Sequence, residues 1–264
     1  MNLILCEPGE LDPDGVVTLT GPRAVHIRGV LRAQPGDAVR VGVVDGPKGR
    51  GTILDLGDGA VALRCELHPE VPPVPPVDLL LALPRPKVLR RLWAQLAALG
   101  VGRILLTNAE RVERNYFDTH VLDAATYRPL LIEGLQQAGD TRLPRVSVHR
   151  QLRPLVEDEL GQPTPDERRL VAHPGGDASL VTMAGAAGRG RVLLAIGPEG
   201  GWNAFELSLL ARHGFATIGM GPRTLRTDTA CVALLALVHE TLRSAGAAAR
   251  PRQPEAPRTM MAPP

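Results

Sequence analysis

The residues best suited to chemistry lie in two stretches of the last third of the chain, Ile196-Gly-Pro-Glu-Gly-Gly-Trp-Asn203 and Met220-Gly-Pro-Arg-Thr-Leu-Arg-Thr-Asp-Thr-Ala230. Each mixes glycine and proline with charged side chains, and each falls where an apolar run gives way to a helical pattern. Glycine lets main chain approach a ligand without an intervening Cβ. Loops of this kind suit an adenosine-containing molecule held largely by backbone groups. Neither stretch has the G-x-G-x-x-G or G-x-x-x-x-G-K-[ST] spacing that cradles phosphates, which disfavours a nucleoside triphosphate. Ile196, Gly197, Pro198, Gly200 and Gly201 in the first loop, and Met220, Gly221 and Leu225 in the second, are therefore the candidate cofactor-binding residues. Glu199, Arg223 and Arg226 are charged groups on the same loops.

The elements that must position these loops are legible around them. Arg191 to Ile196 is a continuous apolar run of the kind a strand covered on both faces requires. Asn203 with Glu206 three positions later fits a capping box for a helix over Ala204 to Arg212, which Gly214 closes. Phe215 to Gly219 reads as the next strand, and Thr227 or Asp228 caps a long apolar helix from about Thr229 to Leu242. Ligands in open α/β sheets bind beyond the carboxyl ends of strands, so two such loops, separated by one helix and one strand, face a single crevice. His173, at the end of a strand expected over Arg169 to His173, is the one histidine to hold open as a site residue. The other histidines are scattered, without metal-ligand spacing, and no metal is expected.

Upstream, residues 1–72 alternate short apolar runs with glycine turns, as in Ala38 to Asp45, Gly51 to Leu54 and Gly59 to Arg64. That spacing argues for a small β-barrel domain. Val71-Pro-Pro-Val-Pro-Pro76 is a stiff extended linker. Residues 73–245 then alternate strand and helix patterns: Val77 to Leu83, Lys87 to Leu99, Arg103 to Thr107, Leu122 to Ala138, Val146 to His149, and the elements already named. Such alternation signals an α/β domain with a parallel sheet. Residues 246–264, rich in Ala, Pro and Arg, read as a disordered tail.

The two loops together resemble the C-terminal signature of the bacterial 16S ribosomal RNA uracil-N3 methyltransferases, the RsmE-type members of the knotted SPOUT superfamily. The resemblance extends to His26-Ile-Arg-Gly-Val-Leu-Arg-Ala-Gln-Pro-Gly-Asp37, to Leu99-Gly-Val101, and to Gln136-Gln-Ala-Gly139 followed by Arg142-Leu-Pro144, covering the chain from Gly21 to about Leu242. It implies a SPOUT-type parallel sheet with a C-terminal trefoil knot, preceded by a PUA-like β-barrel that binds RNA. It also implies a homodimer, S-adenosyl-L-methionine as cofactor, and methylation of N3 of a uridine in 16S ribosomal RNA of the small ribosomal subunit. On that reading Arg226 is the first catalytic candidate, because a fixed Arg donor stabilises negative charge developing on the uracil oxygens. Its alternative role is to pair with Glu199 or Asp228 and hold the loop. Glu199 serves either as a base, if burial raises its pKa, or as a carboxylate that orders the loop through backbone N–H groups. Arg23, Arg28 and Arg32, with His26 beside them, form a cluster that the resemblance turns toward RNA, and Arg223 joins them from the second loop. The chain departs from the family pattern at Gln95 and Ala98, at Asp228, and after Arg85-Pro-Lys87, which bears on substrate contacts and the dimer surface.

Composition is compatible with this and excludes other classes. The chain has 264 residues, 44% of them hydrophobic, and no apolar stretch of the length a membrane span needs. Glu7, Glu10 and Asp12 near the N-terminus do not resemble a signal peptide. Cys6, Cys65 and Cys231 are widely spaced, as reduced thiols of a cytoplasmic protein would be. Net charge is only +2, yet residues 77–153 carry 12 Lys and Arg against 7 Asp and Glu, a basic zone suited to a phosphate backbone. Aromatic residues make up 3% of the chain, so recognition would rest on shape and charge rather than base stacking. Two other readings stay open: a methyltransferase of this fold acting on another RNA position, and a noncatalytic RNA-binding ribosome assembly factor.

Overall fold

Alternating apolar runs near the N-terminus and continuous ones later in the chain fold into two separate sheets. The computed structural model describes residues 3–176, 178–180, 182 and 190–248. The first sheet contains β1 (Ile4–Cys6), β2 (Val16–Thr20), β3 (Ala38–Val43), β4 (Lys48–Asp55) and β5 (Ala60–Leu67), in the order β1-β3-β4-β5-β2. Only the β1–β3 pair is parallel. Between β2 and β3 the chain forms α1 (Gly21–Val25), which widens into π-helical turns over His26–Leu31 and ends at Arg32 in the left-handed region. A separate small core, including Leu19, Ile27, Val41, Val61 and Leu63, fills this module.

The second sheet is wholly parallel. It comprises β6 (Val77–Ala82), β7 (Val101–Thr107), β8 (Arg145–His149), β9 (Glu167–Ala172), β10 (Ala178–Ser179), β11 (Arg191–Ile196) and β12 (Phe215–Gly219). Their order is β10-β12-β9-β11-β6-β7-β8. Every residue of β6 is buried, as a central strand covered on both faces requires. Asp78 is the one charge in that strand and is 1% exposed; Arg103 of β7 at 2.8 Å and Arg191 of β11 at 2.7 Å compensate it from the two neighbouring strands.

Helices α2 (Pro86–Ala98) and α3 (Ala124–Ala138) pack against each other. The short α4 (Leu152–Pro154), α5 (Ala204–Arg212) and α6 (Thr227–Ala248) complete the helices used below. The α2–α3 contact is set by Gly134, where an added Cβ would lie 2.0 Å from the carbonyl oxygen of Ala94. Next to it, fully buried Trp93 donates its indole N–H to the Val121 carbonyl at 3.2 Å and packs on Tyr127.

Most expected elements appear within two or three residues of their expected ends. Two differ in an informative way. The strand expected from Arg103 begins at Val101, because Gly100, at φ 74°, turns the chain straight out of α2. The last helix begins at Thr227, with Ala230 N–H already bonded to the Arg226 carbonyl, and continues past Leu242 to Ala248. The alanines around Gly246 favour helix more than the proline-rich residues that follow. The remaining part of the expected tail, 249–264, lies outside the described residues. Cys6, Cys65 and Cys231 are free thiols, and burial pushes Cys6 and Cys231 up to about 12.

The two sheets are joined by many contacts along the C-terminal end of α3. The Gln136 carbonyl accepts Leu3 N–H at 3.0 Å, and the Gly139 carbonyl accepts the Lys48 ammonium at 2.9 Å. Thr141, fully buried, exchanges bonds with Asp45 and Gly46, and Arg142 donates to the carbonyls of Pro72 and Asp45. Arg128 grips Glu7 through both guanidinium nitrogens, at 2.5 and 2.6 Å. The segment Gln136 to Pro144 is thus a structural clamp.

Two expectations follow. Gly134→Ala should lower stability by about 3 kcal/mol or more in urea titration, although the same change in an open helix would stabilise by about 1 kcal/mol. Arg128 holds the Glu7 carboxyl below its usual value of 4.5. That stabilisation is therefore present above this pH and is lost as pH falls through the lowered native value. Stability measured between pH 6 and pH 3 should fall more for the native protein than for Arg128→Met.

Candidate active site

A cavity of about 200 Å³ opens at the carboxyl ends of β9, β11 and β12. Ala172, His173 and Pro174 follow β9; Ile196 to Trp202 follow β11; Ile218, Met220, Gly221, Arg223, Thr224 and Leu225 belong to β12 and its loop. The first turns of α6 supply Thr227, Ala230 and Leu234, and Arg111 reaches in from the segment after β7. All eight expected cofactor residues, Ile196, Gly197, Pro198, Gly200, Gly201, Met220, Gly221 and Leu225, line this one space. In a parallel sheet the loops that follow neighbouring strands all leave from the same edge, which is where ligands of open α/β sheets bind.

Protein groups already occupy the space beside two of these glycines. A Cβ on Gly197 would lie 3.1 Å from Trp202 Nε1, and one on Gly200 would lie 2.9 Å from Arg111 Cδ. These two positions admit protein side chains that build the wall. Gly201 and Gly221 have φ of 71° and 83° with open space beside them, so they are required by backbone conformation. Gly219 is a further case, for an added Cβ would sit 2.1 Å from the Gly176 carbonyl. There the end of β12 touches the turn after β9 backbone to backbone.

The capping box is present. Asn203 Oδ1 accepts Glu206 N–H at 2.8 Å, and Glu206 Oε2 accepts Asn203 N–H at 2.8 Å. The other carboxylate oxygen, Oε1, accepts the N–H of Glu110 at 2.7 Å. Glu206 is 5% exposed, so these are charge-assisted bonds shielded from water, at a helix N-terminus that favours a negative group. They bind the loop after β7 to the loop after β11. Arg111, one residue beyond Glu110, lies across Gly200 and donates from Nη1 to its carbonyl.

Arg226 lies between two lining residues but does not itself line the cavity. Its side chain is exposed and makes no hydrogen bond or ion pair among the described residues. The alternative pairing with Asp228 is replaced by another, because Asp228 takes Arg91 of α2 at 3.1 Å. Glu199 is exposed and accepts Arg85 N–H at 3.5 Å, a long contact that touches the loop after β6. Of the basic cluster, Arg23 is engaged within the first module. Both ends of its guanidinium meet Glu10 at 2.7 Å and one also meets the Leu5 carbonyl. Arg28 donates to the Ala60 carbonyl at 2.9 Å, whereas Arg32 and Arg223 are exposed. His173 lines the cavity, and its Nδ1 and the Trp202 Nε1 are buried without partners among the described residues.

Residues 71–239 match the RNA methyltransferase domain family. The ribosomal RNA small subunit methyltransferase E of Treponema pallidum is 34% identical over 244 residues, covering 90% of each chain. This chain belongs to the ribosomal RNA small subunit methyltransferase E family. Its member from Mycobacterium tuberculosis is 28% identical, with 86% of this chain and 87% of that one covered. The fold agrees with solved structures. A small subunit methyltransferase E from Neisseria gonorrhoeae, bound to S-adenosyl methionine, superposes with a TM-score of 0.73 at 20% identity, covering 91% of this chain and 97% of that one. A putative methyltransferase of Legionella pneumophila in complex with the same cofactor gives 0.70 at 24% identity, covering 90% and 97%. As a family member this chain is an α/β ribosomal RNA methyltransferase, and its lined cavity falls inside the matched region.

Sequence reasoning missed Arg111, Trp202, Thr224 and Thr227 as lining residues. Arg111 sits in an irregular segment with no periodicity, and its only sequence signal is a buried apolar residue on either side of the Glu110–Arg111 pair, Ala109 and Val112. Glu206→Gln tests the wall. An amide oxygen accepts one N–H, while the NH₂ group faces the other donor. The variant should lose about 1–3 kcal/mol of stability in thermal or urea unfolding, and it should weaken ligand binding at the cavity more than substitutions on the exposed face of α5.

Proposed function

We propose that this ribosomal RNA methyltransferase uses S-adenosyl-L-methionine to methylate N3 of a uridine in 16S ribosomal RNA of the small ribosomal subunit. The observation that carries the reading is one cavity at three adjoining strand ends, with main chain, apolar and charged groups in its lining. The residues present fit the cofactor. Ile196, Ile218, Leu225 and Leu234 offer apolar surface for an adenine, and the glycine loops offer backbone donors and acceptors for an adenosine. When bound, S-adenosyl-L-methionine supplies a methyl group on a positively charged sulfur.

The chain's own residues then have definable tasks. N3 of uracil carries a weakly acidic imide proton, and its loss spreads negative charge over the ring oxygens. A guanidinium held at the mouth of the site stabilises that charge. Arg226 suits this role because it lies between the lining residues Leu225 and Thr227 and makes no ion pair among the described residues. Glu199 orders the first loop against Arg85. Arg223, on the cavity rim, and Arg32 and Arg28, on the first module, supply cations for RNA phosphate. Arg23 supports the same surface indirectly through Glu10. Since N3 lies on the pairing edge, the target uridine must be unpaired or turned out of its stack.

The finer architecture belongs to the same proposal. Residues 1–72 form a PUA-like barrel, for which the five-stranded, mainly antiparallel sheet is the support. Residues 73–245 form the methyltransferase domain. A C-terminal trefoil knot is supported by the strand order, in which β11 and β12 flank β9 rather than each other. Exposed Val232 and Leu237 on α6 offer apolar surface for a homodimer. The protein works in the cytoplasm, where its ribosomal substrate is found. No helix among the described residues is long and apolar enough to cross a membrane.

The test is incubation of purified protein with S-adenosyl-L-methionine and small-subunit particles lacking the modification, followed by mass mapping of the methylated nucleotide. One uridine carrying the methyl group at N3 is expected. Methylation elsewhere would overturn the assigned position. Arg226→Ala should lower the rate by about 10²-fold or more while cofactor and RNA affinity hold; an unchanged rate would remove Arg226 from the reaction.

A further inference from the structure

We propose that Arg111 binds the α-carboxylate of the cofactor's amino-acid end. The inference rests on the function proposed above and assigns a ligand group to a residue that neither motif contains.

Arg111 is held in place at three points. Its neighbours Ala109 and Val112 are 5% and 7% exposed and packed in the main core. The preceding N–H, of Glu110, is bound by the buried Glu206 carboxylate. The Arg111 side chain itself lies over Gly200, where no Cβ fits, and spends one N–H on the Gly200 carbonyl. A guanidinium has five N–H donors. The others on Arg111 have no partner among the described residues, and no carboxylate pairs with it. A long cationic side chain normally sweeps freely at a surface, so ordering one beside a cavity without an internal counter-charge points to a charge that arrives with the ligand.

The identity of that charge follows from the rest of the lining. An adenosine is neutral and is matched by the apolar and backbone surfaces. The amino-acid end is zwitterionic, with one carboxylate and one ammonium group, and needs groups of both signs close together. Arg111 donates to the Gly200 carbonyl and Glu199 precedes that glycine, so a cation and an anion that form no ion pair with each other both line the cavity. The planar guanidinium fork suits a carboxylate, which it can meet with two parallel bonds.

Two ligands separate this role from a purely structural one. S-adenosylhomocysteine has the amino-acid end, whereas 5′-methylthioadenosine has the same adenosine thioether without it. Affinities are measured by calorimetry for the native protein and for Arg111→Met, which keeps the apolar stem over Gly200 and removes the charge. Thermal unfolding of the free proteins checks that the variant is folded. Arg111→Lys replaces it should the first variant fail to fold, and it is expected to show the same selective loss more weakly. The expected result is that Arg111→Met weakens S-adenosylhomocysteine by about tenfold or more, the value of one charge-assisted bond, and leaves 5′-methylthioadenosine within about twofold. An equal loss for both ligands would overturn the proposal, leaving Arg111 as a support for the loop. So would no loss for either, including the case in which only RNA affinity falls. Failure of the native protein to bind S-adenosylhomocysteine at all would instead overturn the proposed cofactor.

Discussion

Glu206 carries two backbone N–H groups on one buried carboxylate, one from the start of its own helix and one from the loop after β7, two strands along the sheet from β11. Burying an ionised carboxylate costs several kcal/mol unless each oxygen is satisfied. Here both are, and the helix N-terminus adds its own favourable field. Everything at the mouth of the cavity depends on this arrangement. It keeps Glu110 beside the loop after β11, which puts Arg111 over Gly200, which in turn demands that residue 200 have no side chain. The order of dependence runs from one carboxylate to a loop path, then to a side-chain position, and only then to a surface that a ligand can meet.

The fold was legible wherever its cause is local. A capping box needs only Asn203 and Glu206 three positions apart, and a buried central strand needs only an unbroken apolar run such as Val192 to Ile196. The cavity lining was legible for a related reason, since strand-to-helix turns in parallel sheets converge at one edge. What stayed hidden depends on partners distant in sequence. The bond between Glu206 and Glu110 spans 96 positions, and nothing near either residue announces it. Glycine is where the two kinds of information met and parted. Gly197 and Gly200 line the cavity, and it took the folded chain to show that Trp202 and Arg111 crowd the places a Cβ would take there. Gly134, inside a helix, carried no local sign that the backbone of Ala94 presses against it.

The basic cluster teaches a similar lesson about charge. A count of arginines cannot distinguish a cation offered to a partner from one already spent. Arg23 is bound by Glu10 and Arg128 by Glu7, so both stabilise the first module and its junction. Among the described residues Arg226 and Arg111 have no carboxylate partner; Arg111 lines the cavity and Arg226 lies between the lining residues Leu225 and Thr227. The residues that a purely electrostatic reading would weigh equally are sorted by their partners.

Between β5 and β6 the chain passes through Val71-Pro-Pro-Val-Pro-Pro76, a segment that would ordinarily serve as a spacer between independently moving parts. Arg142 fastens onto its Pro72 carbonyl, while Gln136, Gly139 and Thr141 grip the first module on either side. A spacer tied down in this way no longer permits swivelling; it makes the chain a caliper with a fixed opening. An RNA that touched the first module and offered a base to the cavity would have to present the two at that one separation. Target choice would then be governed by a length built into the protein, with any bending left to the RNA.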